Sequence, residues 1–400
     1  MTPPCWNEVR KILCVRLDNL GDVLMSTPAM RALATRFPQA QLSVMVSSSG
    51  AAMAPFLPDV DEFIVYDAPW VKQPQAGDVA ADLDMLAQLR AGAFDAAVIF
   101  TVYSQSALPA ALFCRLAGIA RILAHARENP YELLTNWTPD SLPADGGRHE
   151  VQRQLDLVAQ VGARVTDPRL IFALRDEDRQ GMRNKLAAHG VDPDGQLIVV
   201  HPGATAASRR YPAEYFALAV RRLAAQIDGR ILLTGTASEH LLASTIGKAS
   251  LVAPVNLAGA LTLGEFAALI EATAVLISNN SSPVHIAAAM GTPVVDLYAL
   301  TNPQHTPWRV PHRLLYHDVP CRYCYRSICP QGHQACLRGV EPDAVVAAAL
   351  DLLRLAADPS GPDTALQSLP PLHADGAASA SAAGKKPGAI ETLLFTRARP

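Results

Sequence analysis

Aromatic residues make up only 6% of this 400-residue chain, too few for the stacking platforms that single-stranded nucleic acid requires. Excess charge of either sign is also missing. A net charge of -3 and a pI near 6.4 give no electrostatic reason to expect nucleic acid or a strongly anionic surface as partner. No run of about 18 uncharged apolar residues occurs, so no transmembrane helix is expected and any membrane contact should be peripheral. The opening Met1-Thr2-Pro3-Pro4-Cys5-Trp6-Asn7-Glu8 lacks a basic segment followed by an apolar one, so export is not expected. A cytoplasmic protein without disulfides is the simplest expectation.

What the chain does have is hydrophobic bulk, 50% of its residues, enough for more than one domain. Short apolar runs recur between helical patterns. Those in the first half are Ile12–Val15, Leu42–Val46, Phe63–Tyr66 and Ala96–Phe100. The second half has Leu197–Val200, Arg230–Thr234, Ala274–Ile277 and Val294–Leu297. Continuous apolar runs alternating with helices predict parallel sheets covered on both faces. Two tandem doubly wound α/β domains follow, residues 10–175 and 176–355, with the boundary around a charged helix from Arg175 to His189. Ligands of such sheets bind outside the carboxyl ends of the strands. A last helix, Pro342 to Leu355, precedes a tail, 356–400, whose Ala, Ser, Pro and Gly content predicts disorder.

Chemistry-bearing residues cluster just after the apolar runs. Asp22 follows the first, in Leu17-Asp18-Asn19-Leu20-Gly21-Asp22, where a carboxylate facing a cleft could accept a proton. The plain alternative is an acid complementing a helix dipole. Arg209 and Arg210 follow His201-Pro202-Gly203-Ala204-Thr205, either as a solvated pair or as cations for an anionic ligand. Glu239 follows Thr234-Gly235, as a ligand contact or an ordinary first-turn acid. Asn280-Ser281-Ser282-Pro283-Val284-His285 reads as a loop opening a helix, with Ser282 at the N-cap and Pro283 at the first helical position. Free N–H groups there suit a phosphate, with His285 in reach. Basic residues Arg115, Arg121, Arg127, Arg148 and Arg153 gather in the first half, solvated, ion-paired or facing an anionic acceptor.

The stretch from Asn280 to Pro293 resembles the nucleotide-sugar signature of glycosyltransferase family 9, the ADP-heptose:lipopolysaccharide heptosyltransferases. That signature has Asp or Asn, then Thr-Gly, two residues, His, and an Ala-rich helix ending in Gly-Thr-Pro; Ser281 and Ser282 stand where Thr-Gly is common. Val15 to Ala29 is similar to the family's opening motif, whose Gly-Asp aspartate is the proposed catalytic base and corresponds to Asp22. His201 to Pro212 looks like the segment with Pro-Gly and then Lys-Arg-Trp-Pro. Arg209 stands for the lysine, a planar fork replacing a point charge, and Tyr211 for the tryptophan. Glu239 matches a glutamate that holds the ribose.

The resemblance covers roughly residues 10 to 355 and implies a GT-B type fold, two Rossmann-like domains facing across a cleft. It implies an inverting, metal-independent glycosyltransferase that needs no cofactor for catalysis. The donor would be an ADP-sugar, most plausibly ADP-L-glycero-D-manno-heptose, and the acceptor a lipopolysaccharide core or related glycan. By the same resemblance Asp22 and Arg209 are catalytic, and Thr205, Glu239, Asn280, Ser281, Ser282, Val284 and His285 bind the nucleotide sugar. Two rivals are a sugar-nucleotide epimerase on the same architecture and a non-catalytic nucleotide- or glycan-binding protein.

Four of the seven cysteines lie at Cys321, Cys324, Cys329 and Cys336, with His333 between the last two. Four soft ligands within sixteen residues could close a structural zinc site or hold an iron–sulfur cluster. The alternative is that Tyr323, Tyr325 and Ile328 make this segment ordinary core. It resembles a cysteine segment of many family members, notably of the heptosyltransferase II type.

Overall fold

The structure, a computed structural model, describes residues 6–71, 78–140 and 148–357. Its first half runs β1 (Lys11–Arg16), α1 (Leu20–Arg36), β2 (Gln41–Val46), β3 (Glu62–Val65), α2 (Val79–Gly92), β4 (Ala96–Ile99), α3 (Leu108–Leu116), β5 (Arg121–Ala126), β6 (Asn136–Pro139) and α4 (Glu150–Ala159). The charged helix α5 (Asp176–Ala188) leads into the second half. There follow β7 (Leu197–His201), α6 (Ala213–Ala224), β8 (Arg230–Leu233), α7 (His240–Ser250), β9 (Val255–Asn256), α8 (Leu263–Glu271), β10 (Val275–Asn279), α9 (Ser282–Met290), β11 (Val294–Leu297), β12 (His312–Leu315), α10 (Ala335–Arg338) and α11 (Pro342–Ala357).

All strand pairs are parallel, in two six-stranded sheets ordered β3-β2-β1-β4-β5-β6 and β12-β11-β10-β7-β8-β9. Counted from its own first strand, each sheet has the order 3-2-1-4-5-6, the doubly wound Rossmann topology. The chain reverses direction across the sheet between β1 and β4, and again between β7 and β10. A crevice therefore opens at the carboxyl ends of those strands.

The eight apolar runs of the sequence are all strands. The short or polar-interrupted strands β5, β6, β9 and β12 are not visible as runs, because Arg121 and His125, or His312 and Arg313, break the apolar pattern. The final helix continues to Ala357, and the expected tail beyond it lies outside the described residues.

One apolar cluster lies between the sheets, formed by inner-face residues of both: Ile12, Val98, Val199 and Leu276 with Leu24 of α1, Leu157 of α4, Leu186 of α5 and Ile286 of α9. Separate clusters cover the outer faces, under α2 and α3 on one side and under α6, α7 and α11 on the other. Helix α1 contains Pro28, which removes the N–H that would bond the Leu24 carbonyl. The Thr27 hydroxyl donates to that carbonyl at 2.7 Å and accepts the Ile171 N–H at 2.9 Å, so the gap in α1 becomes a tie to the segment entering α5. Among the described residues no helix is long and apolar enough to cross a membrane.

Candidate active site

The loop after β1 and the start of α9 meet across the crevice. A Cβ on Gly21 would lie 2.9 Å from His285 Cδ2 and 3.3 Å from Ser282 Oγ, so only glycine permits this approach of two helix starts. Asp22 is the third residue of α1 and accepts the Asn19 N–H at 3.2 Å in a capping box. Its other oxygen lies 3.4 Å from Arg16 Nη2. The dipole-complementing role and a position at the crevice are thus both realised by one side chain.

Arg16 is fully buried and is the centre of an ionic cluster. Its guanidinium reaches Asp18 (3.2 Å), Asp22 (3.4 Å) and Glu150 (3.0 Å). Glu150, at the start of α4, also accepts from Gln154 Nε2 at 2.6 Å and pairs with Arg153 at 3.3 Å, while Arg153 pairs with Asp140 at 2.6 Å. Burial raises the Glu150 carboxyl, but Arg153 and then Arg16 outweigh it and hold the group down at about 2. Burial dominates at Asp18, lifting it to about 6 against the pull of Arg16. Of the five arginines noted in the first half, Arg153 is thus a structural ion. Arg148 pairs with Asp156, Arg115 with Glu132, and Arg127 stacks on Tyr103.

On the other side of the crevice, α9 begins one residue earlier than expected. Ser281 is extended and occupies the N-cap, which places Ser282 and Pro283 in the first turn. Pro283 has no N–H and Val284 donates its own to the Ser281 carbonyl at 3.0 Å, which leaves the Ser281 and Ser282 amides as the candidates at this helix start. Asn280 is buried, and its amide donates to Asp296 Oδ2 and the His305 carbonyl, both at 2.9 Å. Gly291, in the left-handed region at φ 81°, ends the helix. His285 is buried with an unpartnered Nδ1. Burial, then the adjacent His305, His149 and Arg209, keep it well below the usual imidazole range, so it is neutral at pH 7.

Arg209 closes a short 3₁₀ turn after β7, Ala207–Arg209. Its charge acts on His285, His305 and Asp296, yet its guanidinium has no hydrogen-bond or ion-pair partner among the described residues. Arg210 is spent on the carbonyls of Ala204 and Thr205, which separates the two members of the basic pair. Thr205 is exposed beside them. Tyr211 is buried, donating its N–H to Asn279 and its hydroxyl to the Val340 carbonyl. Glu239 accepts from the N–H of Thr236 at 2.8 Å and lies over the β7 loop, where a Cβ on Gly203 would sit 2.1 Å from Oε1.

Sequence reasoning missed Glu150, His305 and Asp296. His305 lies on the loop after β11, 6.3 Å from the His285 ring, and Asp22 is its strongest charged neighbour. Asp296 is fully buried, and burial lifts its carboxyl to about 8. Only Asp296 carried a sign, a lone carboxylate within the apolar Val294–Leu297, whereas Glu150 and His305 lie in polar stretches.

The cysteine segment packs Cys321 and Cys336 against a small cluster with Tyr298 and Tyr323, while Ile328 is exposed. Cys321 Sγ lies 3.9 Å from His333 Nε2. Burial raises the Cys329 thiol, but N–H groups of Gln334, Gln331, Gly332 and His333 outweigh it and leave it lowered. Among the described residues no three His, Cys, Asp or Glu side chains are gathered closely enough to hold a metal ion. The zinc or iron–sulfur site expected from the spacing has no ready cage here.

Comparison with known proteins agrees with this geometry. The sequence pattern of glycosyltransferase family 9 (heptosyltransferase) matches residues 83–334. The lipooligosaccharide heptosyltransferase 2 of Campylobacter jejuni is 26% identical over 214 residues, 52% of this chain and 64% of that protein. This chain thus spans just under two thirds of that relative. Among solved structures, a family 9 glycosyl transferase from Veillonella parvula superposes with a TM-score of 0.71 at 22% identity, covering 86% of this chain and 97% of the other. The ADP-heptose lps heptosyltransferase II of E. coli gives 0.66 at 23% identity, covering 87% and 99%. Both share the fold of two facing doubly wound domains, and with a family pattern spanning more than half its length this chain belongs to glycosyltransferase family 9, the heptosyltransferases.

Proposed function

We propose that the chain is an inverting glycosyltransferase that moves a heptose, or a related sugar, from an ADP-sugar to a lipopolysaccharide core or similar glycan, without a metal ion in the chemical step. The supporting observation is the seam at Gly21 and His285, which sets the Asp22 carboxylate beside the start of α9. Residues 10–175 carry the acceptor and 176–355 the nucleotide sugar. Asp22 takes the proton of the acceptor hydroxyl as it attacks the anomeric carbon, and the diphosphate leaves on the opposite side. The unpaired Arg209 and the Ser281 and Ser282 amides offset the charge growing on that diphosphate. Neutral His285 offers its free Nδ1, and Glu239 with Thr205 flanks the ribose. Asn280 acts by fixing the loop. Work at the cytoplasmic face of a membrane, by peripheral contact, fits a chain with these features.

The test is transfer from ADP-heptose to truncated core acceptors by wild type and Asp22→Ala, together with melting shifts in ADP, UDP, GDP and CMP. Ligand at about a hundred times its dissociation constant adds roughly 2.7 kcal/mol. A shift with ADP alone, and acceptor-dependent transfer lost in Asp22→Ala, is expected. Sugar consumption without acceptor would favour an epimerase. Donor binding with no turnover on any acceptor would favour a binding protein. Near wild-type turnover by Asp22→Ala would remove the proposed base.

A further inference from the structure

Nothing among the described residues grips the Arg209 guanidinium, so its place in the crevice depends on the turn that carries it. That turn, Ala207–Arg209, closes with the Arg209 N–H on the Ala206 carbonyl (3.0 Å) and the Arg210 N–H on the Ala207 carbonyl (3.3 Å). One turn of 3₁₀ helix does not hold itself in water. The chain beyond it is fixed at Tyr211, whose N–H meets Asn279 Oδ1 at 3.0 Å. The turn itself is held by the cysteine segment. Buried Ser208 donates its N–H to the Ser327 carbonyl at 3.0 Å and its hydroxyl to the Arg326 carbonyl at 2.7 Å. Gln334 Nε2 donates to the Ala207 carbonyl at 2.6 Å.

The segment is itself anchored. The N–H groups of Tyr323 and Tyr325 bond the carbonyls of Leu300 and Thr301, just past β11, both at 2.7 Å, and the Cys336 carbonyl accepts the His317 N–H at 2.8 Å. Gln334 caps α10, its carbonyl accepting from the N–H groups of Leu337 (3.0 Å) and Arg338 (2.9 Å). Its backbone is left-handed, φ 46°, which is disfavoured for a residue with a Cβ. Such an outlier persists where the surroundings impose it, often beside a working site. The side-chain amide of Gln334 thus reaches Ala207 from a backbone that the cap fixes.

We propose that the cysteine segment is a bracket that sets Arg209, with Ser208 and Gln334 as its positioning residues. The inference rests on the reading of Arg209 as the cation that faces the diphosphate. Ser208 and Gln334 act on the turn, and the turn places the guanidinium.

A double-mutant cycle tests it. Ser208→Ala and Gln334→Met are made in wild type and in Arg209→Ala, and initial rates of transfer from saturating ADP-heptose to a truncated core acceptor are measured. The dissociation constant of ADP, by calorimetric titration of the same samples, needs no acceptor. Ser208→Ala and Gln334→Met should each lower kcat roughly fivefold, about one net hydrogen bond, and weaken ADP, with KM for the acceptor unchanged. In the Arg209→Ala background neither should change kcat or ADP affinity further, because residues that act as a unit are not additive. Equal losses in both backgrounds overturn the bracket. Wild-type behaviour of both single variants beside a slow Arg209→Ala also overturns it, and leaves the role of Arg209 standing. Arg209→Ala with wild-type rate and ADP affinity removes that role and the bracket together, as does a wild type with neither transfer nor ADP binding. ADP affinities that follow the cycle without any transfer support the bracket and remove the transferase. Gln334 is partly exposed, so its variant remains informative should Ser208→Ala unfold.

Discussion

Replacing Glu150 by alanine should destabilise the first domain strongly. The carboxylate is fully buried and holds Arg16 at 3.0 Å, Arg153 at 3.3 Å and Gln154 at 2.6 Å. Removing one partner of a buried ion pair costs about 3–5 kcal/mol, because the remaining charge stays desolvated. A second route gives a similar figure. Glu150 is held at about 2 against an ordinary value of 4.5, and at ~1.36 kcal/mol per pH unit that depression is worth about 3 kcal/mol. The sign follows from the depressed value: this stability is present above pH 4.5 and is lost as pH falls toward 2. Urea unfolding of wild type and Glu150→Ala at pH 7 should therefore differ by about 3 kcal/mol. Glu150→Gln should approach wild type as the pH is lowered from 5 to about 2.5, as far as the fold survives. Turnover should fall as well, since Arg16 then loses the anchor that sets it against Asp22. A Glu150→Ala protein within about 0.5 kcal/mol of wild type at pH 7 would refute the cluster as a structural element.

Three further outcomes follow from the crevice. Gly21→Ala places a Cβ 2.9 Å from His285 Cδ2, so it should lower transfer at least about tenfold while helix propensity, favouring Ala over Gly by ~1 kcal/mol, limits any loss of melting temperature; wild-type kinetics would show that the seam has no bearing on turnover. Arg209→Ala should lower kcat by about 10²–10³, the loss typical of one charge-stabilising donor, and Arg209→Lys should recover much of it, measured as initial rates at saturating donor. Asp296 is lifted to about 8 from 3.8, so the fold loses stability progressively as pH rises between those values. Asp296→Asn should flatten that slope and melt higher than wild type at pH 8, and a parallel pair of melting curves from pH 5 to 8 would contradict it.

The layout was legible where apolar runs were unbroken. Leu197–Val200 and Ala274–Ile277 read as buried parallel strands, and the loops after them carried Pro with Gly, Ser or Asn. Arg121–Ala126 and His312–Leu315 were illegible because a buried strand that lends an arginine or histidine to an internal ion pair or backbone contact loses its apolar signature. The same holds for the site. Asp22, Arg209 and His285 lie in short motifs next to a strand end, and local pattern locates them. Glu150 and His305 are 128 and 283 residues from Asp22 in sequence, and only the packing of α4 and the β11 loop across the crevice brings them to it. Ser282 was misplaced by one position because Ser281 can cap equally well, and Pro is tolerated anywhere in a first turn whose N–H groups lack partners.

The apolar cluster between the sheets has a thermodynamic consequence. Chains built from two Rossmann units are commonly pictured as two beads on a hinge, each melting by itself. Here the inner faces of both sheets and five helices share one contiguous core, so exposing either half strips the other of its cover. Calorimetry should record one endotherm whose van't Hoff and calorimetric enthalpies agree. Any tilt of one sheet against the other must slide these apolar contacts, since parting them would expose the shared core to water.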